Sequence, residues 1–169
     1  IIMYTGFIFA AVFIGYAIGT SPIVSYNYGA GNTDELKNVF KKSIILNAVS
    51  GVVMTALSLA LARVLAGIFV SSDKELLDLT TDAMRIYGIS FIFVGLNIFS
   101  SAFFTALNNG LISAVVSFAR TLVFQLGSIL LLPIAFGVNG IWAAVIVAEG
   151  LAFVLDVIFL ITNRKKYNY

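Results

Sequence analysis

Residues 111–163 read LISAVVSFARTLVFQLGSILLLPIAFGVNGIWAAVIVAEGLAFVLDVIFLITN, two long apolar runs on either side of a short turn. A helix that crosses a bilayer needs about 20 predominantly apolar residues. The runs 111–136 and 140–163 both meet that length, and only Gly137-Val138-Asn139 separates them. This stretch therefore predicts two antiparallel membrane helices joined by a tight turn.

Three more apolar runs precede this pair, at about 1–28, 43–70 and 86–107. None shows a sustained period of two, which would be typical of a membrane β-strand. The whole chain is 60% hydrophobic and 11% charged, whereas soluble domains have about 45–50% apolar and about 25% charged residues. We therefore predict an all-α membrane protein, a polytopic helical bundle of about five transmembrane helices in one domain over residues 1–169.

The connections carry helix-end signals. Gly29-Ala30-Gly31 predicts a helix stop, and Asn32 followed by Glu35 predicts the capped start of a short helix. Ser72 with Glu75 forms a second capping-box pattern. After it, apolar residues recur at helical spacing, which predicts an amphipathic helix over about 71–85 lying at the membrane interface. These residues are Leu76, Leu79, Ala83 and Tyr87.

The distribution of basic residues predicts the orientation, because cytoplasmic loops are enriched in lysine and arginine. Six basic residues fall on one side of a five-span chain, namely Lys37, Lys41, Lys42, Arg164, Lys165 and Lys166, against Arg63, Lys74 and Arg85 on the other. The C-terminal end is thus predicted to be cytoplasmic in a cell membrane. The apolar start without methionine or a charged leader predicts that residue 1 is an interior position of a longer protein.

Several classes of function lack the residues they need. The chain has no cysteine and no histidine, which excludes disulfides, histidine bases and the usual zinc ligands. We therefore expect neither an enzyme nor a bound cofactor. The net charge of +2 is small, so nucleic acid is not an expected partner, whereas membrane lipid is.

Charged residues inside the apolar runs are the first candidates for function, because each costs about 2.5–3.5 kcal/mol on insertion. Arg120 and Glu149 each lie about 13 Å along neighbouring helices, near the middle of the bilayer, so an ion pair between them is expected. Asp156 follows Glu149 by two helical turns on the same face. The cluster is either a proton- or cation-responsive site or a structural ion pair, and the sequence leaves both open.

Other residues in the apolar runs are weaker candidates. Pro22 and Pro133 lie inside predicted spans, where proline kinks a helix and is common at transporter hinges. Uncharged polar side chains could line a shared cavity or join helices by hydrogen bonds. These are Asn47, Ser50, Asn97, Ser100 and Gln125.

Three stretches resemble the multidrug and toxic compound extrusion (MATE) family. The segment Gly19 to Asn32, with Pro22, Tyr26, Asn27, Gly29 and Gly31, is similar to the end of the family's eighth helix. Residues 103–108, FFTALN, resemble the end of the tenth helix, and residues 140–144, GIWAA, the start of the twelfth.

The resemblance implies a secondary active antiporter with two six-helix lobes, of which this chain supplies helices eight to twelve. The expected substrate is a small organic cation or drug, exchanged for sodium or protons by alternating access. The N-terminal lobe is the expected partner. Some sodium-coupled members carry an aspartate where this sequence has Asn97, so that coupling position is altered here. The alternatives are a lipid-linked oligosaccharide flippase of the same superfamily and a non-transporting membrane assembly protein.

Overall fold

A computed structural model of the chain describes residues 2–70 and 73–169. These residues form six α-helices and one π-helical segment, without a strand. In chain order they are α1 (Ile2–Gly29), α2 (Thr33–Phe69), α3 (Lys74–Gly88), α4 (Phe91–Ala106), α5 (Gly110–Phe118), the π-helical segment (Ala119–Gln125) and α6 (Leu126–Tyr167). The predicted all-α membrane fold is confirmed.

Three continuous helical stretches within the described residues are long and apolar enough to cross a membrane: Ile2–Gly29, Thr33–Phe69 and Gly110–Tyr167. The pair α3 and α4 makes a fourth if it is one span bent by 46°. The five span boundaries therefore stay a prediction.

The stretch Gly110–Tyr167 folds back on itself at Gly137. Gly137 has φ 58° and ψ −139°, which breaks the helix and suits glycine because it has no Cβ. A Cβ on Gly140 would lie 2.5 Å from the carbonyl oxygen of Leu132, whereas eight residues of straight helix span about 12 Å. The predicted antiparallel pair is thus present as a hairpin whose second arm is the later part of α6.

The predicted helix ends near residue 30 are largely confirmed. The helix α1 ends at Gly29, and Gly31 has a φ of 68°. The side chain of Asn32 accepts a hydrogen bond from the backbone N–H of Glu35, as an N-cap does. The predicted short helix was wrong in length, because it continues without interruption into the second span as the 37-residue α2.

The helix α3 packs along α2. Asp73 caps its start by accepting from the N–H of Leu76, while the predicted capping residue Ser72 lies outside the described residues. Ala83 of the predicted apolar stripe is buried, but Leu76 and Leu79 are about half exposed. An exposed ion pair of 3.2 Å joins Asp78 to Arg63 on α2. The interfacial position of α3 stays a prediction.

The interior is closely packed where α1, α2 and α4 meet. A Cβ on Gly95 would lie 2.6 Å from Cε1 of Phe13 and 3.2 Å from Oδ1 of Asn47. Both neighbours are themselves buried, so neither can move aside without disturbing a further residue. Gly95 therefore sets the distance between α4 and its two neighbours.

We expect Gly95→Ala to destabilise the full-length protein by about 1–3 kcal/mol, the usual effect of overpacking. The measurement is thermal unfolding of the purified protein in detergent. Gly127→Ala is the matched control, since it also lies in a helix but has open space around its Cβ position. If both variants unfold at the temperature of the unchanged protein, the packing at Gly95 is looser than described.

Candidate functional site

The centre of the bundle holds an ion pair between Arg120 and Glu149. Nη2 and Nε of Arg120 donate to Oε1 of Glu149 at 2.8 and 3.0 Å, and Nε also lies 3.1 Å from Oε2. Glu149 is 6% exposed, and the side chain of Arg120 is 24% exposed. Such a bidentate contact fixes the orientation of the two side chains and neutralises their charges. The predicted pair is present.

Arg120 lies in the π-helical segment between α5 and α6. A π-helical turn is wider than an α-helical turn, shifts the direction of the following side chains, and is frequent at functional sites. The segment faces the second arm of the hairpin, which brings Glu149 opposite Arg120. The hairpin thus brings together two side chains that are 29 residues apart in the sequence.

Asn97 on α4 completes the coordination of Glu149. Its Nδ2 donates to Oε2 of Glu149 at 2.7 Å and to the backbone carbonyl of Glu149 at 2.9 Å. Asn97 is fully buried, and its Oδ1 has no hydrogen-bond partner. Both carboxylate oxygens of Glu149 are therefore occupied, while one acceptor of Asn97 stays free.

Asp156 differs from Glu149 in having its acceptors free. It is 1% exposed, and neither carboxylate oxygen has a hydrogen-bond partner. The nearby hydroxyl of Ser100 interacts with the carboxyl but does not reach hydrogen-bond geometry. A buried carboxyl that lacks a full set of hydrogen bonds is costly as a bare charge.

A cavity of about 360 Å³ opens against the ion pair. Its polar lining comes mainly from Arg120, Glu149, Gln125 and the phenol of Tyr87, and the rest is apolar. The apolar part consists of Met3, Gly6, Phe7, Ala10, Ile14, Phe91, Val94, Ile98 and Val145. The cavity can hold an apolar molecule next to a neutralised ion pair. Asp156 does not line it.

The signature residues lie apart from this cluster. Pro22 is exposed within α1, and Tyr26 is 76% exposed. Asn27 is buried and donates to the carbonyl of Ile23 in its own helix. Gly29 and Gly31 shape the turn to α2. Pro133 lies within α6, and the break in the helix comes at Gly137 rather than at the proline. No contact joins these residues to Glu149 among the described interactions.

A network of hydroxyl groups between α4 and α5 was not predicted. The Oγ of Ser101 lies 3.0 Å from that of Ser113 and 2.8 Å from that of Ser117, and Thr105 donates to Ser113 at 2.7 Å. Its signal in the sequence is the four-residue spacing of serine and threonine on two neighbouring helices. That spacing places hydroxyls on one face of each helix.

The fold and the buried ion pair define a helical membrane protein. The MatE family model matches residues 1–130, and the chain belongs to this family, whose members are multi-pass membrane transporters. The predicted resemblance is confirmed.

Individual relatives agree with this assignment. The chain is 26% identical over 135 residues to Multidrug and toxin extrusion protein 1 of Mus musculus, covering 79% of this chain and 24% of the relative. Two solved structures of a multidrug resistance MATE family transporter share its fold at 18% identity. The inward-facing one gives a TM-score of 0.85 over 98% of this chain and 40% of the solved chain. The outward-facing one gives a TM-score of 0.83 over 92% of this chain and 35% of the solved chain. The chain thus spans less than half of each relative.

Proposed function

We propose that this chain is part of a secondary active efflux transporter, which exports small organic cations or drugs in exchange for sodium or protons. Family membership supports transport, and the name of the mouse relative supports drugs and toxins as its cargo. The fold is shared with a transporter solved facing inward and facing outward, which supports alternating access. The proposal includes a second lobe that packs against this one, and a cytoplasmic C-terminal end.

The observation that carries this proposal is the cavity beside the ion pair. Its walls are mostly apolar, and the charge of Arg120 is neutralised by Glu149. Such a site suits a largely apolar molecule. A flippase for a lipid-linked pyrophosphate would require unpaired basic residues, whereas Arg120 is the single lysine or arginine lining this cavity among the described residues.

Within this proposal the four charged and amide residues have different roles. Arg120, Glu149 and Asn97 form a scaffold that holds the π-helical segment, α4 and α6 together. Asp156 binds the coupling cation, because its carboxylate takes no part in the ion pair, whereas that of Glu149 is occupied by Arg120 and Asn97. Pro22, with Gly29 at the end of the same helix and Gly31 in the turn that follows, allows α1 to bend as the lobes rock.

A non-transporting assembly protein is the second candidate, because it predicts a fully paired Arg120 and Glu149, as observed. It also predicts no cavity, whereas a cavity lies beside the pair. A substitution that fills the cavity therefore separates the two functions, since an assembly role should tolerate it.

We expect Ala10→Trp in the full-length protein to remove most of the drug resistance that the unchanged protein confers on cells lacking other pumps. Ala10 lines the cavity, so the indole occupies substrate space. Ala56→Trp is the control, because Ala56 is exposed on α2 and does not line the cavity. Drug accumulation is measured at matched protein levels. Failure of the unchanged protein to lower the accumulation of any organic cation would refute the transport proposal.

A further inference from the structure

A groove of about 360 Å³ lies between the polar ends of α2 and α6, away from the central cavity. Basic side chains of Lys37, Lys41 and Arg164 line one part of it. Apolar side chains line the remainder, namely Phe40, Ile44, Ile45 and Tyr169. The groove therefore combines positive charge and apolar surface in one place.

The basic part and the apolar part of the groove follow the change between charged and apolar residues along each helix. On α2 the charged segment ending at Lys42 gives way to Ile44 and Ile45, where the apolar run begins. On α6 the apolar run gives way to Arg164. The basic residues thus lie at the predicted boundary between headgroups and hydrocarbon, with the isoleucines on the hydrocarbon side.

The charge of the groove is not cancelled by neighbouring acids. Lys37 lies 4.0 Å from Asp34 on its own helix, and both side chains are well exposed, so this pair is weak. Lys41 and Arg164 form no ion pair with any described residue. Arg164 instead donates from Nε to the backbone carbonyl of Tyr169 at 3.2 Å. Lys41 therefore brings an uncompensated positive charge to the groove, beside the guanidinium of Arg164.

The rear wall of the groove is fixed. The ring of Tyr169 packs 4.6 Å from the ring of Phe40 and 4.9 Å from that of Phe103, and its hydroxyl donates to the carbonyl of Leu160 at 2.8 Å. Burial raises the pKa of the Tyr169 hydroxyl above its ordinary value, so the phenol carries no negative charge at neutral pH. The Tyr169 wall therefore needs little ordering when a ligand binds.

We propose that this groove binds an anionic phospholipid of the surrounding membrane. The phosphate lies against Lys41 and Arg164, and an acyl chain lies over Ile44 and Ile45. Basic pockets between membrane helices on the cytoplasmic side bind anionic headgroups by this chemistry, and each basic residue near the surface contributes about 1 kcal/mol. The site is separate from the transport site, so it holds whether or not the proposed export is correct.

The test is native mass spectrometry of the full-length protein in detergent, titrated with phosphatidylglycerol and with phosphatidylcholine of the same chain length. The unchanged protein should bind phosphatidylglycerol more tightly. The double variant Lys41→Gln/Arg164→Gln should weaken phosphatidylglycerol binding by about ten-fold or more. The control is the double variant Lys42→Gln/Lys165→Gln, which removes the same charge one residue further along each helix, outside the groove. It should change the affinity for phosphatidylglycerol by about two-fold or less.

Two additions keep the result decisive. The single variant Lys41→Glu leaves the contact between Arg164 and Tyr169 intact, and Lys42→Glu is its matched control. If Lys41→Glu loses more phosphatidylglycerol binding than Lys42→Glu does, the loss is not a folding effect. Inorganic phosphate should compete poorly, since it cannot use the apolar part of the groove. Equal binding of the two lipids, equal effects of the two double variants, or effective competition by phosphate would each overturn the proposal.

Discussion

Replacing Arg120 by leucine should destabilise the full-length protein by about 3–5 kcal/mol, because it leaves the carboxylate of Glu149 buried without its cation. Glu149 is 6% exposed and would keep only the hydrogen bonds from Asn97. The expected observation is a large fall in the unfolding temperature in detergent, with a matching fall in the amount of protein in the membrane.

The double variant Arg120→Leu/Glu149→Leu is the decisive control. Removing both charges leaves neither uncompensated, and such exchanges of buried pairs are often close to neutral. We therefore expect the double variant to be more stable than Arg120→Leu alone. If the effects of Arg120→Leu and Glu149→Leu simply add in the double variant, the ion pair is not the contact that holds the two arms of the hairpin together.

Asp156→Asn should abolish ion-driven drug efflux while leaving the amount of folded protein nearly unchanged. The amide matches the carboxyl in size but carries no charge, so it cannot exchange a proton or hold the counter-charge of sodium. The nearby polar side chain is Ser100, whose hydroxyl can also interact with an amide. The measurement is drug transport by full-length protein in liposomes under an imposed sodium or proton gradient.

Glu149→Gln provides the contrast. It removes the charge opposite Arg120, so it should reduce stability and protein level. The transport that remains per folded molecule should still respond to the gradient. If Asp156→Asn transports as the unchanged protein does, while Glu149→Gln loses the response to the gradient without losing stability, the roles assigned to the two carboxyls are reversed.

Much of the fold could be predicted because local signals and length decide it. The turn at residues 137–139 follows from two membrane-length runs that only three residues separate. Gly31 and Asn32 predict the end of one helix and the start of the next, because glycine suits a helix stop and asparagine suits an N-cap. The ion pair also follows, because two arms joined by a tight turn place residues at equal depth side by side. In each case the decisive information lies within a few residues or within one hairpin.

What could not be predicted depends on packing between distant helices. The π-helical segment around Arg120 has no residue pattern that distinguishes it from an α-helix. The contact between Asn97 and Glu149 joins residues 52 positions apart, so the sequence could not indicate that Glu149 is saturated while Asp156 is not. Ala83 is buried and Leu76 exposed because of where α3 meets α2, although both lie on one predicted stripe.

The reversal at Gly137 also bears on how the chain enters the bilayer during synthesis. The first arm alone would carry an unpaired arginine into hydrocarbon, at a cost of about 2.5–3.5 kcal/mol. The partner of that arginine is 29 residues later, in the second arm, and reaches it only after the chain has turned. The two arms are therefore best inserted together as one hairpin in which the charges of Arg120 and Glu149 neutralise each other, so the turn at Gly137 bears on insertion as well as on the finished fold.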